Sequence, residues 1–303
     1  MSGLVKKSFY FLLTLFVSLS AIFFLVRFSP GDPVERILGP NAKQEDIVKY
    51  REQLKLDRPL TQQYKNYFID IFKGDMGTSL FSQKKVTELL AEHFPPTLII
   101  SFFAVFMALI LGILFGVLAG YFQSGPIDHL IRGLSITSLS FPIFSLGPVL
   151  VLIFSIKFRF FPVSEWGDIS HAILPIVTLI IPLTAILSKM MRNKYLEEMR
   201  YPWVDFLRAK GMDDKGIQLR LVKICLPTIL NIMGIQLAVV LAGTMVTETI
   251  FDIPGMGTLL FESIQNRDYP VVQGVIIYST LIYMTIYFLV DLINEKIDPR
   301  ISA

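Results

Sequence analysis

The chain has 303 residues, 53% hydrophobic and 17% charged, with 28 Lys+Arg against 25 Asp+Glu and a net charge of +3. Soluble globular chains carry about 25% charged residues, and here the charges lie between six charge-free runs: 8–26, 97–122, 133–156, 172–188, 224–247 and 269–290. That alternation excludes an ordinary soluble enzyme, a nucleic-acid binder and a disordered chain.

About 20 apolar residues cross a bilayer as a helix, because lipid offers backbone polar groups no other partner. The runs therefore predict six spans. The first follows Lys6 and Lys7, as a secretory leader would. It is longer than a leader's apolar region, and Ser18-Leu19-Ser20 is a weak cleavage pattern inside it, so a retained helix is expected. Residues 29–96 follow, with balanced charge, and are expected to form a small external cap. Within it Ile47, Tyr50 and Leu54 have helical spacing over 44–56, with Asn41 as a candidate cap. Pro30, Pro33, Pro40 and Pro59 punctuate the rest as turns. Packing onto the spans and docking of a partner both remain open for the cap.

In span two, Ala104, Ala108, Gly112, Gly116 and Gly120 recur every four residues. Such a smooth face allows close backbone approach in lipid, either within the chain or against a second membrane subunit. Pro142 and Pro148 predict a kinked or broken span three. Span four is short and contains Pro175 and Pro182; it is kept as a span, with a re-entrant segment as the alternative.

The loop 189–223 holds nine basic and five acidic residues. Tyr201-Pro202-Trp203 opens a short amphipathic helix, which Gly211 stops. Asp213-Asp214-Lys215-Gly216 reads as a turn, and 217–225 as a second helix leading into span five. A helix lying on the membrane surface and a partner-docking helix are both compatible with this pattern. Asn231, Gln236, Thr244 and Thr247 put polar groups into span five, and Glu248 follows at its end. Each needs a hydrogen-bond partner or a watery face, so this span is either a pathway helix or one joined to its neighbours by polar contacts. Gly234, Ala238 and Ala242 give it a second small-residue face. Pro254-Gly255-Met256-Gly257 is turn chemistry.

Short loops on one side carry Arg132 and the basic cluster of 189–223, together with Lys6, Lys7, Lys296 and Arg300 at the termini; those on the other carry only Lys157, Arg159 and Arg267. The positive-inside rule then places both termini and the 189–223 loop in the cytoplasm. The sequence contains no HExxH pair, no Gly-x-Ser-x-Gly elbow and no phosphate-binding loop. His93, His129 and His171 are far apart, and a lone Cys225 excludes an internal disulfide. The charge-free runs hold no ionisable residue at membrane depth, where ion-coupled transporters place theirs. No catalytic or metal-binding residue is expected, and the energy for any transport is expected to come from another chain.

Asp205-Phe206-Leu207-Arg208-Ala209-Lys210-Gly211, followed by Ile224-Cys225-Leu226-Pro227, resembles the EAA loop of ABC-importer permeases. The interval from Gly211 to Ile224 is longer than the general pattern, and Phe206 and Leu207 stand where it has alanines. An ordered set of further motifs is similar to the first membrane subunit of the peptide/nickel permease family. It comprises Gly31-Asp32-Pro33, Leu56-Asp57-Arg58-Pro59-Leu60 with Gln63-Tyr64, and Gly74-Asp75-Met76-Gly77 with Ser79. Pro96-Thr97-Leu98, Ala209-Lys210-Gly211, Glu248 with Phe251, Pro254, Gly255 and Gly257, Arg267-Asp268-Tyr269-Pro270 and Asp298-Pro299-Arg300 complete it.

The resemblance implies an all-α polytopic membrane protein with the six transmembrane helices of the type I, MetI-like ABC-importer permease fold. The first helix would be 1–28, the external cap 29–96, the permease core 97–293 with its coupling loop 189–227, and the cytoplasmic tail 294–303. It implies a permease of the bacterial inner membrane, driven by ATP, for di- or oligopeptides. The same machinery for nickel or another small solute is the alternative, and a self-contained secondary transporter a more distant one. Partners would be a second permease subunit, two cytoplasmic ATPase subunits that bind the ATP and Mg, an extracytoplasmic substrate-binding protein and the lipid bilayer, with no nucleic acid and no cofactor in this chain. ATPase coupling would fall to Trp203, Val204, Asp205, Phe206, Leu207, Arg208, Ala209, Lys210, Gly211 and Met212. Phe206, Leu207 and Met212 would fill the ATPase groove, with Asp205, Arg208 and Lys210 at its rim. The translocation path would fall to Asn231, Gln236, Thr244, Thr247 and Glu248, and an external segment to Pro254, Gly255 and Gly257.

Overall fold

Two compact units make up the chain, one comprising Met1–Thr97 with Pro254–Met284 and the other Leu98–Ile253 with Thr285–Ala303. The structure, a computed structural model, describes residues 3–28, 34, 38, 43–53 and 56–297. Among these the elements are helical: α1 (Gly3–Phe28), α2 (Gln44–Gln53), α3 (Leu60–Phe72), α4 (Val86–Tyr121), α5 (Pro126–Ser140), α6 (Ile143–Leu150, continuing as a π-turn over Val151–Lys157), α7 (Ile169–Met199), α8 (Pro202–Ala209), α9 (Asp214–Gly243), α10 (Met245–Phe251), α11 (Met256–Asn266) and α12 (Tyr269–Ile297).

The expected spans resolve into three kinds. Val86–Tyr121, Ile169–Met199, Asp214–Leu241 and Tyr269–Ile293 are long and apolar enough to cross a bilayer, while Phe9–Leu25 is a shorter apolar helix. Span three is a bent pair: α5 and the α6–π segment meet at 103°. Its hinge is Phe141-Pro142, where Phe141 is extended at φ −88°, ψ 119°. Proline disfavours the helical conformation of the residue before it, so the break falls where the sequence places Pro142. Pro148 is accommodated inside α6, and the π-turn follows three residues later.

Span four is longer than its charge-free run. α7 covers 31 residues, begins after an extended Asp168 and contains Pro175 and Pro182. The segment 86–96, assigned by sequence to the cap, is helical and continuous with span two through Pro95 and Pro96. The second internal helix and span five are likewise one element, α9, which starts at Asp214. Asn41, Pro30, Pro33, Pro40 and the 298–300 motif lie outside the described residues.

In the first unit α1 and α3 meet through rings. Phe23, which is fully buried, packs against Tyr64 and Tyr67 at 5.3 Å between centroids, and Phe16 against Phe68 at 5.4 Å. Ser20 and Tyr64 hydroxyls are hydrogen-bonded at 2.7 Å, and the Tyr67 hydroxyl donates to the Leu19 carbonyl at 3.2 Å. The connection after α3 is pinned to the start of α12: the Ser79 hydroxyl donates to Asp268 Oδ2 at 2.5 Å, and the Leu80 N–H to Asp268 Oδ1 at 3.2 Å. Two motifs nearly 190 residues apart in sequence thus form one corner.

In the second unit the small-residue face of α4 is buried against α7. A Cβ added at Gly112 would stand 2.5 Å from Leu187 Cβ, and one at Gly116 would stand 2.8 Å from the Ser188 carbonyl oxygen. At Gly120 the added atom would collide with the Tyr195 ring. Gly234 of α9 is approached equally closely by Val290. Of the two uses open for these faces, packing within the chain is the one the structure displays. Leu187, Met191, Tyr195, Ile217, Leu221 and Ile229 form the centre of this unit's apolar core.

Candidate functional site

The loop that carries the EAA-like motif is built around α8. Tyr201 is extended at φ −76°, ψ 142°, and Pro202 occupies the first helical turn, where its missing N–H costs nothing. Asp205 lies in that turn, complementing the helix dipole. The helix ends in a Schellman motif: the Gly211 N–H donates to the Arg208 carbonyl at 2.9 Å, and the Met212 N–H to the Leu207 carbonyl at 3.1 Å. Gly211 has φ +80°, a left-handed conformation costly for a residue with a Cβ. The Asp213 carboxylate then caps α9 by accepting from the Gly216 N–H at 3.1 Å. Stop, turn and restart therefore occupy only residues 210–213.

The faces of α8 are divided sharply. Val204 is fully buried in the same core as Tyr195, Ile217 and Leu221, with Trp203, Leu207 and Met212 half-buried against it. Asp205, Phe206, Arg208, Ala209, Lys210 and Gly211 are exposed. Leu207 and Met212, expected to reach outward with Phe206, instead pack half-buried against the chain's own core, Leu207 because helical spacing puts it one turn after the buried Val204 and Met212 beyond the helix end. Phe206 is 58% exposed. The Lys210 ammonium lies 4.5 Å over its ring, and Arg208 pairs with Asp205 at 3.5 Å.

The five polar residues expected on the pathway do not gather on one surface. Asn231 is exposed, Gln236 is half-buried, and Thr244, Thr247 and Glu248 are buried. α9 ends before Thr244, whose hydroxyl donates to Glu248 Oε1 at 2.7 Å. The Glu248 carbonyl accepts from the Ile253 N–H at 2.9 Å. α10 lies close to Gly147 of α6, where an added Cβ would stand 3.2 Å from Ile250 Cγ2. In the segment expected to be external, Pro254 is exposed, and Gly255 precedes α11 with its N–H donated to Thr258 Oγ1 at 2.9 Å. The next N–H, of Met256, donates to Thr97 Oγ1 at 2.8 Å. Pro254 thus leads into α11, Gly255 is its extended N-cap and Gly257 lies in its first turn.

One polar pair, with a partner inside the 189–223 segment, was hidden in the charge counts. Asp128, fully buried, receives Arg192 Nε on one oxygen and Arg192 Nη2 on the other, both at 2.7 Å, with the Ser124 N–H at 3.0 Å. This two-pronged pair ties the start of α5 to α7 seven residues before α7 ends. A faint signal existed: Asp128 is the single acidic residue between Glu92 and Glu165. Among the described residues no cluster of three or more His, Cys, Asp or Glu side chains is placed to hold a metal ion.

Comparison with known proteins gives a consistent result. Residues 112–303 match the family described as binding-protein-dependent transport system inner membrane component, and residues 1–101 match that family's N-terminal component. A probable peptide ABC transporter permease protein of Sinorhizobium fredii is 34% identical over 289 residues, covering 92% of each chain. The glutathione transport system permease protein GsiC of Salmonella typhimurium is 33% identical, covering 95% of this chain and 94% of its own. Among solved structures, an inward-facing MetNI methionine ABC transporter superposes with a TM-score of 0.56 at 18% identity, over 70% of this chain and 97% of the other. A crystal structure of an amino acid ABC transporter with histidines gives 0.56 at 17% identity, over 69% and 94%.

Proposed function

The chain belongs to the binding-protein-dependent transport system inner membrane components, as the permease component of an ABC importer, and from that membership we propose that it moves peptides and receives its energy through α8. Such permeases are transport components whose ATPase activity lies in separate subunits, and the family works in a complex with another permease, ATPases and a binding protein. The partners proposed for this chain are one related permease, two cytoplasmic ATPase chains that bind ATP and Mg, and an extracytoplasmic binding protein. The bacterial inner membrane, with both termini cytoplasmic, is the location that the loop charges favour.

A peptide cargo is supported by the two relatives, one described as a peptide permease and one as a glutathione permease. Glutathione is itself a small peptide, so both point to amide-linked amino acids rather than to nickel. The observation that carries the coupling role is the division of α8. Val204, anchored in the core, makes the helix follow α7 and α9, while Phe206, Ala209 and Lys210 remain outside to be gripped. Closure of the ATPase pair on ATP would press on that outer face. The inner face would pass the displacement to the core, and α7 and α9 would shift together. Asn231 and Gln236, the members of the polar set that are not buried, are proposed for the pathway; Thr244, Thr247 and Glu248 would act by holding α10 in place.

Single cysteines at 206 and at 207 in a Cys225→Ser background test this division. Crosslinking to the ATPase is expected at 206 and much less at 207. Equal crosslinking at both positions, or none at 206 while transport persists, would contradict the assignment. Gly211→Val forces a β-branched residue into the left-handed region. It is expected to lower dipeptide uptake at least tenfold with normal membrane insertion; uptake at the wild-type rate would remove Gly211 from the coupling element.

A further inference from the structure

The first unit contains a cavity of about 250 Å³, walled by α1, α3, the turn after α3 and the first turns of α12. Pocket volumes for drug-sized ligands run from about 300 to 1,000 Å³, so this one suits something smaller. Its polar wall consists of Arg27, Gln63, Asn66, Asp70, Asp75 and Gln273. Gln63 and Asp75 come from motifs that the coupling mechanism leaves unused.

Buried polar atoms normally have partners. Among the described residues six buried side-chain atoms lack one within the protein, and three of the six belong to this wall: Arg27 Nε, Gln63 Oε1 and Gln273 Nε2. The Gln63 amide is oriented by its neighbours. Its nitrogen donates to the carbonyls of Leu56 and Arg58 at 3.2 and 2.7 Å, which leaves the oxygen as the free acceptor. Asp75 has one oxygen engaged by the Gly77 N–H at 2.9 Å. Arg27 lies with its guanidinium 5.5 Å over the Phe23 ring.

The wall therefore offers two unused donors, on Arg27 and Gln273, and an unused acceptor on Gln63, with the carboxylates of the exposed Asp70 and Asp75 lining the same cavity. A simple anion would meet two carboxylates, and a bare cation would meet a guanidinium. A ligand carrying both charges at its ends satisfies each group. We propose that this cavity is a binding site for a small zwitterion with a free ammonium and a free carboxylate, of the size of an amino acid or dipeptide. Arg27 and Gln273 would take the carboxylate, and Gln63, Asp70 and Asp75 the ammonium. The charge class rests on the wall alone; its identification with transported cargo rests on the peptide-import reading.

The test uses the full-length chain in lipid nanodiscs without a binding protein, titrated with radiolabelled L-alanine and, separately, L-alanyl-L-alanine. Saturable binding of at least one is expected, and the arm that binds more tightly identifies the source. N-acetyl-alanyl-alanine amide, which lacks both charges, is expected to compete at least tenfold less well than the free dipeptide. Arg27→Gln and Asp70→Asn are each expected to weaken binding tenfold or more. Absence of saturable binding in both arms, equal competition by the capped peptide, or unchanged affinity in both variants would overturn the site. The capped-peptide comparison uses wild-type protein and decides the matter even if a variant does not fold. Peptide uptake by the complete importer is measured in parallel: uptake without binding overturns the site and spares the peptide reading, whereas binding without uptake does the reverse.

Discussion

Between α4 and α7 the contact is made by residues with almost no side chain, whereas between α1 and α3 it is made by rings. Gly112, Gly116 and Gly120 let Leu187, Met191 and Tyr195 of α7 press onto the α4 backbone; Phe23, Tyr64, Tyr67 and Phe68 interlock at centroid distances near 5 Å. Between two membrane-spanning helices such as α4 and α7, little is gained from excluding water, because the surroundings are already apolar, and contact quality decides. The glycine seam maximises contact by backbone approach and has no room for addition. The ring seam fills space with large groups and has more tolerance for loss. Their polar supports differ as well. α7 is also held by the buried Asp128–Arg192 pair, whereas the hydrogen bonds across the ring seam, from Ser20, Tyr64 and Tyr67, are neutral.

The largest expected effect is at that buried pair. Arg192→Ala strands a buried carboxylate and is expected to cost about 3–5 kcal/mol, while replacing both partners together with Asp128→Leu and Arg192→Met recovers most of it. Thermal unfolding in detergent measures both; a single variant no less stable than the double would show that the pair does not hold α7. Next, Gly116→Leu is expected to destabilise by about 1–3 kcal/mol through overpacking. An unchanged melting curve would mean that α4 can leave α7 freely, and the contrast with the ring seam would disappear. The smallest effect is expected at Phe23→Leu, roughly 1 kcal/mol, since another large apolar side chain can settle among the remaining rings. A loss greater than that of Gly116→Leu would reverse the proposed order of tolerance.

Much of the local structure was legible in the sequence because it depends on neighbours a few residues away. Gly211 stops α8 and Pro142 breaks span three; in both cases steric limits on the backbone act over one turn. Element boundaries were less legible where a helix runs through residues that usually end one. Pro95 and Pro96 lie inside α4, and the Asp-Asp-Lys-Gly turn is already the first turn of α9. The candidate coupling residues were found as a segment, but the direction in which each points was not. Leu207 and Phe206 are adjacent apolar residues, and which of them is free depends on where Val204 is anchored.

By itself the sequence determined that this chain is a membrane protein of apolar helices, and where the short helix α8 starts and stops. Those follow from the alternation of charge-free and charged segments and from the backbone limits of glycine and proline. Only the tertiary structure decided what each face meets. In lipid an apolar or small-residue face packs about equally well against another helix of the chain, a second subunit or lipid, so its period carries no address. The partners of Gly116, Asp128 and Ser79 lie 75, 64 and 189 residues away in sequence. The gathering of Arg27, Gln63, Asp75 and Gln273 around one cavity arises the same way, from chain return rather than from any local pattern.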